Sequence, residues 1–206
     1  FTDPSTLDEQ LAAAETFIRL APLFGTPIVK LTPGQPGSAK ATDEHWRCLA
    51  TALECLAPLA RQVGVRLAFE THMRQLTDTL ASSQRFLALA PADVVGLTVD
   101  YSNMAFAHED MARVVVDLLP RTFNVHLKNG YVAEDGSWVF GPLDTGWTDS
   151  RLVLPALLDG GYHGSLTIEC LAREAQEQPI EIARRDLTIL RRFLMAGDDR
   201  VYKELD

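Results

Sequence analysis

The chain has 206 residues, 47% of them hydrophobic, with 28 acidic against 19 basic side chains and a formal net charge of -9. That apolar content supports a substantial buried core and excludes a disordered chain. No Lys/Arg run marks a phosphate-backbone footprint, so nucleic acid is not an expected partner. No apolar stretch approaches the ~18 residues of a membrane span. Three cysteines, Cys48, Cys55 and Cys170, are odd in number and lack zinc-knuckle spacing, which predicts buried thiols and a reducing, cytoplasmic setting.

The first residue is Phe1 rather than Met, and the expectation is a processed or trimmed N-terminus. From Asp3 to Phe24 the apolar positions Leu7, Leu11, Ala14, Phe17 and Ile18 recur at helical spacing, with Gly25 placed to end the helix. PIVKL at 27–31 reads as a strand and the following TPGQPGSAK as a Gly/Pro loop. A helix is predicted over Asp43–Val63, closing at Gly64. VRLAFE leads to a helix near Thr77–Ala90, GLTVD to one near Glu109–Leu119, and TFNVHLK to a long loop and a helix near Asp149–Leu158. After the Gly160-Gly161 stop comes SLTIE, and Pro179 suits the first turn of a last helix through Leu194.

Strands alternating with helices at this rhythm imply parallel pairing in an α/β domain, read as one domain over 1–206. A closed eightfold barrel needs three strands beyond these five and ~250 residues, so the expectation is first a longer protein, and otherwise a partner segment that closes the sheet or an open α/β sheet.

Four strands end on a metal-type ligand: VRLAFE at Glu70, GLTVD at Asp100, FNVH at His126 and SLTIE at Glu169. In a parallel barrel these ends meet at the C-terminal rim, where such barrels hold their active sites. A single strand-end carboxylate is most simply a helix cap or an ion-pair partner. Four together would stack negative charge unless a cation were present. Three carboxylates and one imidazole suit Mn²⁺, Mg²⁺ or Co²⁺ and also permit Zn²⁺.

LAFETH, LTVDYSN, HLKNG, PLDTGWTD and GYHGSLTIE together resemble the xylose-isomerase-like superfamily of sugar and sugar-phosphate isomerases, epimerases and related lyases. The resemblance covers essentially the whole chain. It implies a (β/α)₈ TIM barrel, lacking its first three strands in this chain, with one divalent metal ion held by Glu70, Asp100, His126 and Glu169. It further implies that Glu70 and Glu169 are the catalytic proton shuttle, acting through a metal-stabilised enediolate.

Asn103 stands where many relatives have histidine and can donate to a substrate hydroxyl but is a poor metal ligand. Asn129 stands where relatives often carry aspartate and is assigned no catalysis. His72, two residues beyond Glu70, shares its face if the strand continues, and Lys128 has the parity of His126; both are substrate-binding candidates, as is Trp147 in the aromatic loop 129–148. His45, His108 and His163 are expected to be structural, and Cys48 and Cys55 to pack in the core.

The leading expectation is a metal-dependent isomerase or epimerase of a sugar or sugar phosphate. The alternatives are a dehydratase of inosose or dehydroshikimate type on the same scaffold, and a non-catalytic sugar-binding barrel. Endonuclease IV chemistry is disfavoured by the acidic charge. A small carbohydrate is the expected partner, and a homo-oligomer is left open.

Overall fold

A computed structural model of the protein describes residues 1–201, with side chains described through Met195. Its main sheet has five strands in the order β1(Ile28–Leu31), β2(Arg66–Glu70), β3(Val95–Asp100), β4(Thr122–Leu127), β7(Ser165–Ile168), and a separate hairpin joins β5(Asn129–Val132) to β6(Trp138–Gly141). The helices are α1(Leu7–Leu20), α2(Asp43–Val63), α3(Leu80–Leu89), α4(Tyr101–Phe106), α5(Met111–Leu118), α6(Ser150–Asp159) and α7(Pro179–Val201). The described residues divide into two compact units, Phe1–Val99 with Pro120–Asn124, and Asp100–Leu119 with those from Val125 onward, so β3 and β4 each run through both.

In the first unit β1 pairs with β2 and β2 with β3, all parallel, with Leu31 opposite Phe69 and Glu70 opposite Thr98. Every residue of β3 is buried, which explains its continuous apolar run, a strand covered on both faces. Phe69 sits between Phe1 and Phe86 at ring-centroid distances of 6.0 and 5.0 Å. Around it Ile18, Leu49, Leu53, Leu56 and Leu97 are fully buried. Gly96 is dictated by packing: a Cβ there would meet the carbonyl oxygen of Arg121 at 2.5 Å and the Phe123 ring at 2.7 Å.

α2 starts at a capping box between Thr42 and His45, whose Nδ1 takes the Thr42 N–H at 2.9 Å, and ends on left-handed Gly64. This gives His45 the structural role expected of it. The expectation of core packing for Cys48 and Cys55 is corrected: Cys48 is half-buried and Cys55 exposed, because their shared face lies beside the apolar stripe of Leu49, Ala52, Leu53 and Leu56 rather than on it.

In the second unit Tyr101, Met104, Val114, Leu118, Val125, Val153, Leu154 and Leu157 form the core. Two expectations change here. α4 begins immediately after Asp100, because the Asp100 carboxylate accepts from the N–H groups of Ser102 and Asn103 and caps a helix at once. The stretch 129–148 is a hairpin, not a plain loop: Ala133 to Gly136 forms a turn and Tyr131 lies opposite Val139.

Candidate metal centre

β2 delivers Glu70 almost fully buried, and its end is fixed by Thr77, whose hydroxyl donates to the Glu70 carbonyl at 2.6 Å. The Nζ of Lys30, on β1, contacts Glu70 Oε2 at 2.6 Å. Sequence reasoning missed Lys30, since one lysine in a short strand carries no pattern.

In the second unit Asp100 is fully buried and His126, Lys128 and Asn103 nearly so. Lys128 Nζ contacts Asp100 Oδ2 at 2.5 Å and Glu169 Oε2 at 2.9 Å. His126 Nδ1 lies 3.0 Å from Glu169 Oε1. Each partner moves the ionisation of the others. Burial pushes the Asp100 carboxyl above its ordinary value, against the opposing pull of the Lys128 charge and hydrogen bond. Burial lowers the Lys128 ammonium, but the charges and hydrogen bonds of Asp100 and Glu169 outweigh it and the net direction is upward. The His126 hydrogen bond, aided by the charge and hydrogen bond of Lys128 and opposed by burial, holds Glu169 down at about 2.

In the second unit one ligand atom from each of Asp100, His126 and Glu169 lies within 4.8 Å of the others. Ligands on opposite sides of a hard divalent ion stand roughly 4.2 Å apart, twice a bond of ~2.1 Å, so this spread and this oxygen-rich set with one nitrogen fit such an ion.

The other expected site residues are placed as follows. β2 ends at Glu70, so His72 does not continue its strand face; it is half-buried with Nδ1 2.9 Å from the Met73 carbonyl oxygen. Asn103 lies in α4, buried, with its N–H on Asp100. Trp147 is 42% exposed and packs against Phe106 at 6.2 Å and His108 at 5.1 Å. His108 is therefore in an aromatic contact, in a left-handed turn with φ 58°. Cys170 is half-buried; burial and then the charge and hydrogen bond of Asp186 push its thiol up.

A family model described as xylose isomerase-like TIM barrel matches residues 1–193. The chain belongs to this family. Within it, the chain is 26% identical over 156 residues to an inosose dehydratase of Lacticaseibacillus casei, covering 69% of this chain and 52% of that protein. It thus spans about half the length of that curated relative. Two solved structures share the fold: a D-tagatose 3-epimerase-like protein (TM-score 0.80, 19% identity, 98% of this chain and 74% of that one) and the probable 3-DHS dehydratase of petrobactin synthesis from Bacillus anthracis (TM-score 0.77, 20% identity, 89% and 70%). The expected TIM barrel fold is the fold found. Among the described residues no helix is long and apolar enough to cross a membrane.

Proposed function

We propose that this family member serves metal-dependent dehydration of a small cyclic polyhydroxy ketone of the inosose type. The observation that carries the reading is the gathering of Asp100, His126 and Glu169 in the second unit, with Glu70 as the proposed fourth ligand. Similarity to inosose dehydratases favours water loss over the isomerase or epimerase chemistry that the sequence reading puts first.

A divalent ion held by the four side chains would stabilise negative charge on a ketone oxygen and its neighbouring hydroxyl. Glu169, the less buried of the second unit's two carboxylates, is the general base that takes the proton from the carbon beside the ketone. The electron pair released forms the new C=C bond as the β-hydroxyl leaves, and that oxygen takes a proton to depart as water. Glu70, buried beside Lys30, is the second proton carrier. Lys128 holds the Asp100 and Glu169 carboxylates in place, Asn103 is the proposed donor to a substrate hydroxyl, and Trp147 offers an aromatic face for the apolar side of a ring.

The test combines elemental analysis of protein purified without chelator with incubation of an inosose in deuterated water. One equivalent of divalent metal, loss of water from the inosose, and loss of both turnover and tight metal binding in Glu169→Gln are expected. Deuterium entering the substrate without water loss would convert the reading to epimerase. That second reading is the chemistry implied by the resemblance of LAFETH, LTVDYSN and HLKNG to sugar isomerases and epimerases. Absence of metal from folded protein, even after added Mn²⁺ or Co²⁺, would remove both and leave a sugar-binding barrel.

A further inference from the structure

Asn129 follows Lys128 directly and is 2% exposed. Its Nδ2 donates to the carbonyl oxygens of Leu143 at 2.8 Å and Thr148 at 2.9 Å, and its Oδ1 accepts from the N–H groups of Gly130 at 2.9 Å and Thr148 at 3.0 Å. Two donors and two acceptor positions are the full capacity of a carboxamide, and all are used on backbone. The residues it grips bracket Trp147, whose own N–H donates to the Gly130 carbonyl at 2.7 Å. The same loop is tied back to the strand end: the Thr148 hydroxyl donates to Ser102 Oγ at 2.8 Å, and the Ser102 hydroxyl donates to the Lys128 carbonyl.

We infer that Asn129 is a positioning residue, the clasp that fixes loop 143–148 and the indole of Trp147 relative to the strand end bearing His126 and Lys128. The requirement is chemical as well as steric. An aspartate has the same shape but no donor when ionised, and would place a negative oxygen against two carbonyl oxygens now 2.8 and 2.9 Å from Nδ2. The effect of the clasp on substrate rests on the inosose reading; its effect on the loop does not.

The experiment compares Asn129→Asp and Asn129→Ala with the parent by amide hydrogen exchange, Mn²⁺ titration, and steady-state kinetics with an inosose. Exchange at 143–148 is expected to speed up by roughly tenfold or more, and further in the Asp variant than in the Ala variant, because buried groups left unsatisfied or repelled cost more than a bond removed. Exchange in β2 and β3 should stay at the parent rate. KM should rise severalfold with a smaller change in kcat. Unchanged exchange at 143–148, or faster exchange spread evenly over the whole chain, would overturn the clasp. A loosened loop with KM unchanged would overturn the positioning role. Should the parent neither bind Mn²⁺ nor turn over an inosose, the proposed function fails, and the exchange pattern still decides whether Asn129 fixes the loop.

Discussion

Lys128 Nζ lies 2.5 Å from Asp100 Oδ2, with the two side chains 3% and 0% exposed. A pair this deep is costly to break at Lys128, because in metal-free protein removing the ammonium leaves the buried Asp100 carboxylate beside Glu169 with neither water nor Lys128 as counter-ion. Lys128→Met should therefore lower the unfolding free energy by ~3–5 kcal/mol in urea titrations, and adding Asp100→Asn should recover part of that loss. A single variant within about 1 kcal/mol of the parent would mean that Asp100 is satisfied by protonation and by the Ser102 and Asn103 N–H groups, and the pair would rank with surface bridges.

The four candidate ligands were legible as strand-end residues because each ends an apolar β-run, and a strand's C-terminal end has one location in a barrel. Lys128 was legible too, through the alternation that sets it on the parity of His126. Lys30 was not: what matters there is the 2.6 Å approach to Glu70 from a neighbouring strand, and pairing between strands leaves no mark at a single position. The hairpin β5–β6 carried its own sign in Asp135-Gly136 between aromatic-rich runs, but its strands of four residues each are too short to show a clear alternation. α4 was hidden because Asp100 both ends a strand and caps the next helix, and six residues are too few to show helical periodicity.

Gly146 tests how tightly the loop is built. Its φ of +148° is rare for any residue with a side chain, and a Cβ there would meet Asn129 Oδ1 and the backbone N and O of Gly130, each at 2.3 Å. Gly146→Ala is expected to cost ~1–3 kcal/mol and to open 141–149 to limited proteolysis. Proteolysis at the parent rate would show that the loop shifts to accommodate the methyl without loss.

The Arg61–Asp93 pair offers a pH test away from the candidate centre. Arg61 Nε and Nη2 reach the two carboxylate oxygens at 2.6 and 2.8 Å, and this holds Asp93 down at about 2. Because the folded value is depressed, the stabilisation is complete above the unfolded value of ~3.9 and fades as pH falls toward 2. Asp93→Asn should lower Tm modestly at pH 7, and the gap from the parent should narrow between pH 4 and 2. Both groups are solvent-exposed, so added salt should narrow it as well. An equal gap at every pH would assign the effect to the amide itself rather than to lost charge.

Trp147 decides what the aromatic loop is for. Its ring is inclined 36° to His108 and 69° to Phe106 and remains 42% exposed. A large apolar ring held by two neighbours yet open to solvent gives folding little of its burial energy, so Trp147→Ala should change unfolding free energy by only ~1 kcal/mol. If the open face stacks on a ring substrate, the same variant loses an aromatic contact of ~0.5–1.5 kcal/mol, which raises KM about two- to tenfold while Mn²⁺ affinity holds. Unchanged KM together with a shift in sedimentation behaviour would instead make the indole a contact between copies of the chain. Both expectations separate Trp147 from the four ligands: their replacement removes the metal, whereas replacement of Trp147 leaves the metal bound and acts on the substrate alone.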